Sequence, residues 1–251
     1  MSGHSHWATI RRKKGANDAK RGAIFTRLAK EIAVAARNGG GDPSTNIRLA
    51  YAIDKARAGN MPKDNIERAI RRGTGDDKDG AAYEEFTLEG YGPHGSAIMV
   101  ECVTDNRNRT VAELRHAFSK NGGNMAEPGA VGWQFERKSY FTFSASTLSF
   151  DEAFELAIEA GADDVQEDSD NIEIIGPVEA FKTLSDALKA AKVSPDEGGL
   201  RLIAKQELEL SVDETLQVLR VVESIEDLDD VQNAYHNLKL SEEALAALEA
   251  E

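Results

Sequence analysis

The stretch from residue 84 to residue 104 reads EEFTLEGYGPHGSAIMVECVT, and it decides the fold class. Apolar and polar side chains alternate in its second half, where Ile98, Val100 and Cys102 share one face. A period of two residues is typical of a β-strand. The glycines and the proline in the middle predict a turn between two strands. The sequence therefore predicts a β-hairpin at the centre of a mixed α+β chain.

The turn itself, residues 90–95, matches the string G-x-G-x-x-G of dinucleotide-binding proteins. Such a site needs a helix directly after the glycines, because the helix N-terminus holds the pyrophosphate. Here a second strand follows, and Pro93 lacks an amide donor. We therefore interpret these residues as a hairpin turn.

Downstream of the hairpin, helix and strand signals alternate to the C-terminus. Ser or Thr followed three residues later by Glu predicts helix starts at Thr110, Ser149 and Ser211. A fourth helix is predicted over residues 177–192. Strands are predicted over residues 131–135, 140–143, 165–175 (a hairpin), 200–210 and 231–238. The succession is typical of two ferredoxin-like βαββαβ units, and Trp133 is predicted to lie in a core or an interface rather than to act as a stacking platform.

Upstream of the hairpin, apolar residues recur with the period of an α-helix. The first helix runs through Ile24 and is predicted to end at the glycines that follow Asn38. Asp42 and Pro43 are predicted to start the second helix. Pro62 is predicted to open the third, which Gly73 closes. A polar linker over residues 75–80 ends this predicted three-helix bundle.

Charge divides the chain sharply. Residues 1–72 carry 16 Lys and Arg against 6 Asp and Glu, whereas the rest carries 14 against 38. A cationic surface releases counterions when it meets a phosphate backbone, and an acidic surface is repelled by it. The sequence therefore predicts that nucleic acid binds the N-terminal region alone.

The first helix shows how that region is expected to work. On a helical projection its apolar residues fall on one arc, and Lys20, Arg27, Lys30 and Arg37 fall on the opposite one. One face is predicted to pack and the other to meet phosphate; ordinary solvated charges are the alternative. Arg21 breaks the pattern, since it lies within the apolar arc.

Residues before this helix form a predicted flexible arm with aromatic and basic side chains. Trp7 offers a flat ring for stacking on a base, and four cations follow at residues 11–14. This combination suits irregular or single-stranded nucleic acid, and it also suits a minor groove. The alternative is that Trp7 packs on the helices while the cations are solvated.

A second cationic segment precedes the helix predicted at Thr110. Asn106, Arg107, Asn108 and Arg109 are expected to form a loop between a strand and that helix. The two guanidinium groups either contact phosphate or hydrogen-bond the turn, and the sequence leaves both interpretations open.

Several motifs together resemble the YebC/PmpR family over most of the chain. They are GHSHWA at residues 3–8, DAKRG at 18–22, GGGDP at 39–43, NMPKDNIERAI at 60–70, YGP at 91–93 and TDNRNRTVAE at 104–113. Members of that family are described as transcriptional regulatory proteins, and relatives act on ribosomes, including a mitochondrial translational activator. His6 stands where most members have Lys, and Met125–Pro128 replaces a usual Gly-Thr-Asp run.

The resemblance also implies how the domains are arranged. It implies that the second α+β unit is inserted into the first. The expected fold class is thus multidomain α+β, with an N-terminal three-helix bundle and two ferredoxin-like domains, one inserted in the other. The expected domains are residues 1–75 (basic bundle and arm), 76–136 with 205–251 (discontinuous middle domain) and 137–204 (inserted acidic domain).

Catalysis finds little support in the sequence. Cys102 lies on the apolar face of a predicted strand, which favours an inert buried thiol over a nucleophile. The chain lacks a P-loop, an H-E-x-x-H motif and a cysteine pair for zinc. The acidic cluster at residues 163–170 lacks the glycine and final Glu of a calcium loop, which favours a solvated turn. We expect no enzyme activity, no cofactor and no metal site.

The chain is also expected to be a soluble cytoplasmic protein. No apolar run approaches the roughly 18 residues of a membrane helix, and the N-terminus lacks the apolar part of a signal peptide. A single cysteine agrees with a reducing compartment. The oligomeric state is not indicated.

These features predict a non-enzymatic regulator of gene expression that binds nucleic acid. Promoter DNA is one target; ribosomal RNA, with ribosomal proteins meeting the acidic domains, is the alternative. The predicted nucleic-acid-binding residues are His4, Ser5, His6, Trp7, Arg11, Arg12, Lys13, Lys14, Lys20, Arg21, Arg27, Lys30, Arg37, Arg107 and Arg109.

Overall fold

The computed structural model describes residues 18–76, 83–168 and 170–249. Its helices are α1 (Asp18–Gly39), α2 (Ile47–Ala58), α3 (Lys63–Thr74), α4 (Arg107–Lys120), α5 (Phe150–Glu159), α6 (Phe181–Ala190), α7 (Val212–Glu226) and α8 (Glu242–Glu249). Its strands are β1 (Glu84–Tyr91), β2 (Ala97–Thr104), β3 (Asn124–Ala126), β4 (Phe135–Ser144), β5 (Asp164–Asp168), β6 (Asn171–Gly176), β7 (Glu197–Ala204) and β8 (Val231–His236). The predicted mixed α+β fold class is confirmed.

The strands form two antiparallel four-stranded sheets. The first has the order β3-β1-β2-β8 and the second β5-β6-β4-β7. The hairpin predicted from residues 84–104 joins β1 to β2, with Gly90 opposite Ile98. β8 pairs with β2 although all four strands of the second sheet lie between them in the chain. The second sheet is therefore inserted into the first, as the resemblance implied.

The two sheets differ in how their elements follow one another. Around the second sheet the succession is β4-α5-β5-β6-α6-β7, which is the predicted βαββαβ. Around the first it is β1-β2-α4-β3 and then, after the insertion, α7-β8. The first sheet thus starts with a hairpin where a ferredoxin-like unit has a strand and a helix.

The chain divides into two compact units. The first unit comprises Gly15–Gly132 and Gln217–His236, and the second includes Trp133–Leu216 and Asn237–Glu251. Within the first unit α1, α2 and α3 share a core around Ile32, Leu49 and Ile66. Within the second, Phe141, Ile172 and Leu184 centre a core between the sheet and the helices α5 and α6.

α1 is buried on more than one side because it packs on α2 and α3 and also contacts β2 and β8 of the same unit. Ala33, Val34, Ala35 and Ala36 are all at most 2% exposed. Gly73 of α3 lies so close to α1 that a Cβ there would overlap the carbonyl oxygen of Ala33. Small residues therefore allow the close approach of these two helices.

Several predicted helix boundaries were wrong, since the capping residues were misassigned. α2 begins after Asn46, whose side chain accepts from Leu49 N, and not at Asp42-Pro43. α3 ends with Gly75 in the left-handed region (φ 83°), two residues past Gly73. α4 begins at Arg107 because Asn106 caps it, so Thr110 is not the cap. The boxes at Ser149 and Ser211 cap their helices as predicted.

Some predicted strands also differ from the structure. Residues 132–134 form a short 3₁₀ turn, and the strand begins only at Phe135. The strand predicted over residues 200–210 is β7, which ends at Ala204. Beyond it, Leu208 makes an isolated parallel bridge to Leu238. The sequence patterns did not predict α8.

Candidate nucleic-acid interface

On the basic arc of α1, Lys30 and Arg27 face other residues of the first unit, whereas Arg37 is exposed. Lys30 is 5% exposed, and its Nζ lies 2.6 Å from Oδ1 of Asp230 and 2.8 Å from the carbonyl oxygen of Asp229. Arg27 donates to the carbonyl oxygen of Glu226, and Arg37 donates to that of Tyr83. The prediction that Lys30 presents its ammonium group to phosphate is therefore wrong, because Asp229 and Asp230 hold that group inside the first unit.

Asp230 is the acceptor around which this buried contact is built. Its Oδ2 accepts from Thr104 Oγ1 at 3.0 Å, Thr110 Oγ1 at 2.7 Å and Arg109 Nη2 at 2.7 Å. Burial disfavours ionisation of the carboxyl, but hydrogen bonds from Lys30, Arg109 and Thr110 outweigh it and hold the pKa of Asp230 well below 3.8. The carboxylate therefore joins α1 to β2 and α4.

Arg107 and Arg109 lie in the first turn of α4 and not in a loop. Arg107 pairs with Glu84 and stacks 4.2 Å above the ring centre of Phe86. Arg109 pairs with Asp105 at 3.1 Å as well as with Asp230, and these contacts raise its pKa. Both guanidinium groups thus have intramolecular carboxylate partners, which favours the interpretation that they stabilise the turn.

α3 carries two exposed cations that the sequence interpretation did not include. Arg68 and Arg71 are exposed, and neither has an ion pair or hydrogen bond from its side chain within the described part of the chain. Their spacing of three residues puts them on one face of α3, opposite the buried Ile66 and Ala69. The same periodicity that located the apolar face of α3 would have found them.

Two other exposed cations of the bundle are paired weakly. Lys63 lies 3.5 Å from Glu67, and Arg57 lies 3.2 Å from Asp54. The side chains of all four residues are at least 48% exposed. Exposed pairs of this kind contribute at most about 1 kcal/mol. A phosphate can therefore replace the carboxylate at little cost.

The remaining predicted residues are not placed by the structure. Lys20 and Arg21 belong to α1, but their side chains lie outside the described residues. The arm residues also lie outside the described part: His4, Ser5, His6, Trp7, Arg11, Arg12, Lys13 and Lys14. Their role in binding stays a prediction.

Trp133 is 66% exposed, so it does not lie in a core; the other predicted place, an interface, stays a prediction. The loop that precedes it is fixed by Glu89 of β1. The Glu89 carboxylate accepts from the backbone N–H groups of Gly129, Val131 and Gly132, all at 2.7 to 2.8 Å. Burial raises the pKa of this carboxyl, but the three hydrogen bonds outweigh it, so that its pKa lies below 4.5.

Replacement of Glu89 by alanine is expected to lower the free energy of unfolding by about 2 kcal/mol, because three amide donors are deprived of a charged acceptor. The lowered pKa means that this contribution is complete above pH 4.5 and is lost as the pH falls through the folded-state pKa. Urea denaturation at neutral and acidic pH measures both effects. Glu127→Ala, at an exposed position of the same loop, is the control; equal destabilisation of the two variants would contradict the assignment.

Cys102 is buried, as predicted. It is fully inaccessible to solvent, and burial together with the nearby carboxylates of Asp230 and Glu101 raises the pKa of its thiol to about 12. The thiolate that nucleophilic catalysis requires is therefore not formed near neutral pH.

The described residues offer neither a metal cluster nor a membrane helix. Within residues 18–76, 83–168 and 170–249, no group of three or more His, Cys, Asp or Glu side chains is arranged to hold a metal ion. Residues 164–168 of the acidic cluster form β5 rather than a turn. None of the described helices combines the length and apolar character that crossing a membrane requires.

Comparison with known proteins now places the chain in a family. Residues 5–76 match the TACO1/YebC protein N-terminal domain, and residues 83–238 match the TACO1/YebC second and third domain. The chain belongs to the TACO1/YebC family. The predicted resemblance is thereby confirmed, and the matched boundary falls in the linker between α3 and β1.

Curated TACO1/YebC relatives cover the whole length of the chain. A protein of Geotalea uraniireducens is 51% identical over 98% of both chains. Another, of Nitrosococcus oceani, is 51% identical over 99% of this chain and all of its own. Both are named probable transcriptional regulatory proteins, which supports a regulatory role and suggests a non-enzymatic protein.

A solved structure confirms the architecture. The crystal structure of a conserved hypothetical protein from Aquifex aeolicus superposes with a TM-score of 0.83 at 39% identity. The alignment covers 90% of this chain and 93% of the other.

Proposed function

We propose that this chain is a nucleic-acid-binding regulator of gene expression that contacts its target through the N-terminal bundle and the residues before it. The observation that carries the proposal is the pair Arg68 and Arg71, two exposed guanidinium groups on one face of α3 that have no side-chain partner among the described residues. Guanidinium groups bind phosphate in a bidentate manner. The four consecutive cations at residues 11–14 belong to the same basic part of the chain.

Charge restricts the contact to this region. Beyond residue 72 the chain has 38 acidic residues against 14 basic ones. That part repels a phosphate polymer, and it is suited to orient the protein so that the bundle approaches first. The names of the relatives favour promoter DNA as the target.

Ribosomal RNA is the second candidate, and one observation favours it. Before its last residue, the exposed residues of α3 are Lys63, Asp64, Glu67, Arg68 and Arg71, which are all charged, whereas Asn65 is half-buried. Helices that read bases in the major groove also use Asn or Gln, which pair with adenine. A face dominated by charges favours contacts to phosphates and to nucleic-acid shape. Ribosomal proteins would then be suitable partners for the acidic domains.

Neutralising Arg68 and Arg71 together, as Arg68→Gln/Arg71→Gln, is the first test. On duplex DNA, we expect the slope of log K against log salt to flatten by about 0.9 for each phosphate that the variant no longer contacts, that is by up to about 1.8. Fluorescence anisotropy of a labelled duplex and of a structured RNA, each over a salt series, measures this slope.

The matched control is Lys189→Gln/Lys192→Gln, which removes two exposed cations from the inserted acidic domain. If both variants bind like the wild type, the α3 face does not contact nucleic acid. In-cell crosslinking of the wild type and the α3 variant, with sequencing of bound DNA and bound RNA, then decides the target. Peaks at a few promoters support the transcriptional role, and enrichment of ribosomal RNA supports the translational one.

A further inference from the structure

The outer face of α5, in the inserted domain, is apolar and exposed. Phe154 and Ile158 are each 44% exposed and lie one helical turn apart. The ring of Phe150, which packs in part against the core, lies 6.0 Å from that of Phe154. The neighbouring face, about 100° round the helix, is held by Ala153 and Ala157, both fully buried in the core of the second unit. The buried alanines hold α5 on the core, so folding of this helix does not depend on Phe154 and Ile158.

The same helix is strongly acidic. Asp151, Glu152, Glu155 and Glu159 are all exposed, and α5 contains no Lys or Arg. A groove of about 600 Å³ lies between α5 and α6, beside these carboxylates. Its lining includes the carboxylate of Asp186 from α6 and contains no basic side chain. Glu152 is used by Ser149 for the helix cap, so Asp151, Glu155 and Glu159 are the carboxylates available to a partner.

A partner for this face must supply apolar side chains one turn apart with cations beside them. Residues 2–17 of this same chain have that composition. Trp7 and Ile10 are three residues apart, four consecutive cations follow at residues 11–14, and the segment contains no acidic residue. No other stretch of the sequence has four consecutive cations.

We infer that the acidic apolar face of α5 binds residues 2–17 of the chain. Phe154 and Ile158 contact Trp7 and Ile10, while Asp151, Glu155 and Glu159 neutralise the cations of residues 11–14. The α5 face then acts as an internal competitor of nucleic acid, since cations paired with carboxylates do not contact phosphates. This regulatory consequence rests on the proposed function, whereas the contact itself does not.

The contact is tested in the full-length chain without nucleic acid. The sequence has two tryptophans, so the substitution Trp133→Phe leaves Trp7 as the only indole fluorophore. Quenching by acrylamide then reports how accessible Trp7 is. We expect Trp7 to be shielded in this protein and to become accessible in Phe154→Ser/Ile158→Ser. Both substituted positions are half-exposed, so folding is expected to persist.

A second variant tests the charges separately. Asp151→Asn/Glu155→Gln removes two carboxylates of the face and is expected to weaken docking about tenfold, with a larger effect at low salt. Its matched control, Glu167→Gln/Glu179→Gln, removes two exposed carboxylates elsewhere in the same unit and is expected to leave Trp7 shielded. The inference would be overturned if Trp7 were quenched equally in the parent protein, the two α5 variants and the control. It would also be overturned if the control substitutions made Trp7 accessible.

Nucleic-acid binding provides the last measurement. If the segment is docked nine times in ten, its release by Phe154→Ser/Ile158→Ser tightens binding of a labelled nucleic acid about tenfold. Shielding of Trp7 without any nucleic-acid binding would support the contact and contradict the proposed function. Binding that is unaffected by the α5 variants, together with an accessible Trp7, would support the proposed function and overturn the contact.

Discussion

Replacement of Asp230 by alanine is expected to lower the free energy of unfolding of the first unit by about 3–5 kcal/mol. The substitution leaves the ammonium group of Lys30 buried without a counter-charge, and it removes the acceptor of Thr104, Thr110 and Arg109. Urea denaturation followed by circular dichroism measures the destabilisation.

The neighbouring Asp229 offers a matched control, because it is exposed and contributes only its backbone oxygen to Lys30. Asp229→Ala should stay within about 0.5 kcal/mol of the wild type. The double variant Lys30→Met/Asp230→Ala should be destabilised by less than the sum of the two single effects, since it leaves no unpaired buried ammonium. Strict additivity would show that the two groups do not interact.

The same carboxylate sets a dependence on pH. Its pKa is lowered in the folded state, so its contribution is fully present above its ordinary value of 3.8 and is lost as the pH falls through the folded-state pKa. The difference between the wild type and Asp230→Ala should therefore be constant above about pH 5 and shrink in stronger acid.

Replacement of Arg11, Arg12, Lys13 and Lys14 by alanine is expected to have the largest effect on nucleic-acid binding. If all four cations contact phosphates, the slope of log K against log salt on duplex DNA flattens by up to about 3.6, at about 0.9 for each phosphate. Anisotropy titrations over a salt series measure the slope. Three lysines of the inserted domain, Lys182, Lys189 and Lys192, serve as a control when neutralised together. An unchanged slope in the alanine variant would show that the four cations do not contact phosphates.

Local signals predicted much of the fold. The period-two pattern located β1 and β2, and the boxes at Ser149 and Ser211 located two helix starts, because these signals act within a few residues. The start of α2 was missed since Asn46 is fixed by tertiary contacts as well: its side chain donates to the carbonyl oxygens of Ala35 and Gly40. Helix caps that depend on a second helix leave little trace in local sequence.

The candidate site was predicted less well for a related physical reason. A helical projection separates polar from apolar arcs, but it does not reveal what covers the polar one. Lys30 is buried by Asp230, which lies 200 residues away in the chain. Arg68 and Arg71 stay exposed because no described residue of the first unit covers their face of α3. Which cations remain available thus depends on tertiary packing.

The position of β8 has a consequence for synthesis. The chain leaves the ribosome from its N-terminus, so α1 and β2 emerge well before residues 230–236, which supply both the counter-charge of Lys30 and the last strand of the first sheet. Until then the edge of β2 is open to wrong pairing and Lys30 has no buried partner. Prior folding of the inserted domain pairs Phe135 of β4 with Ala204 of β7. This pairing shortens the effective loop between β2 and β8 and lowers the entropic cost of adding β8. A chain that terminates prematurely, before residue 230, would therefore lack β8, leave the edge of β2 unpaired and be a substrate for chaperones and proteases.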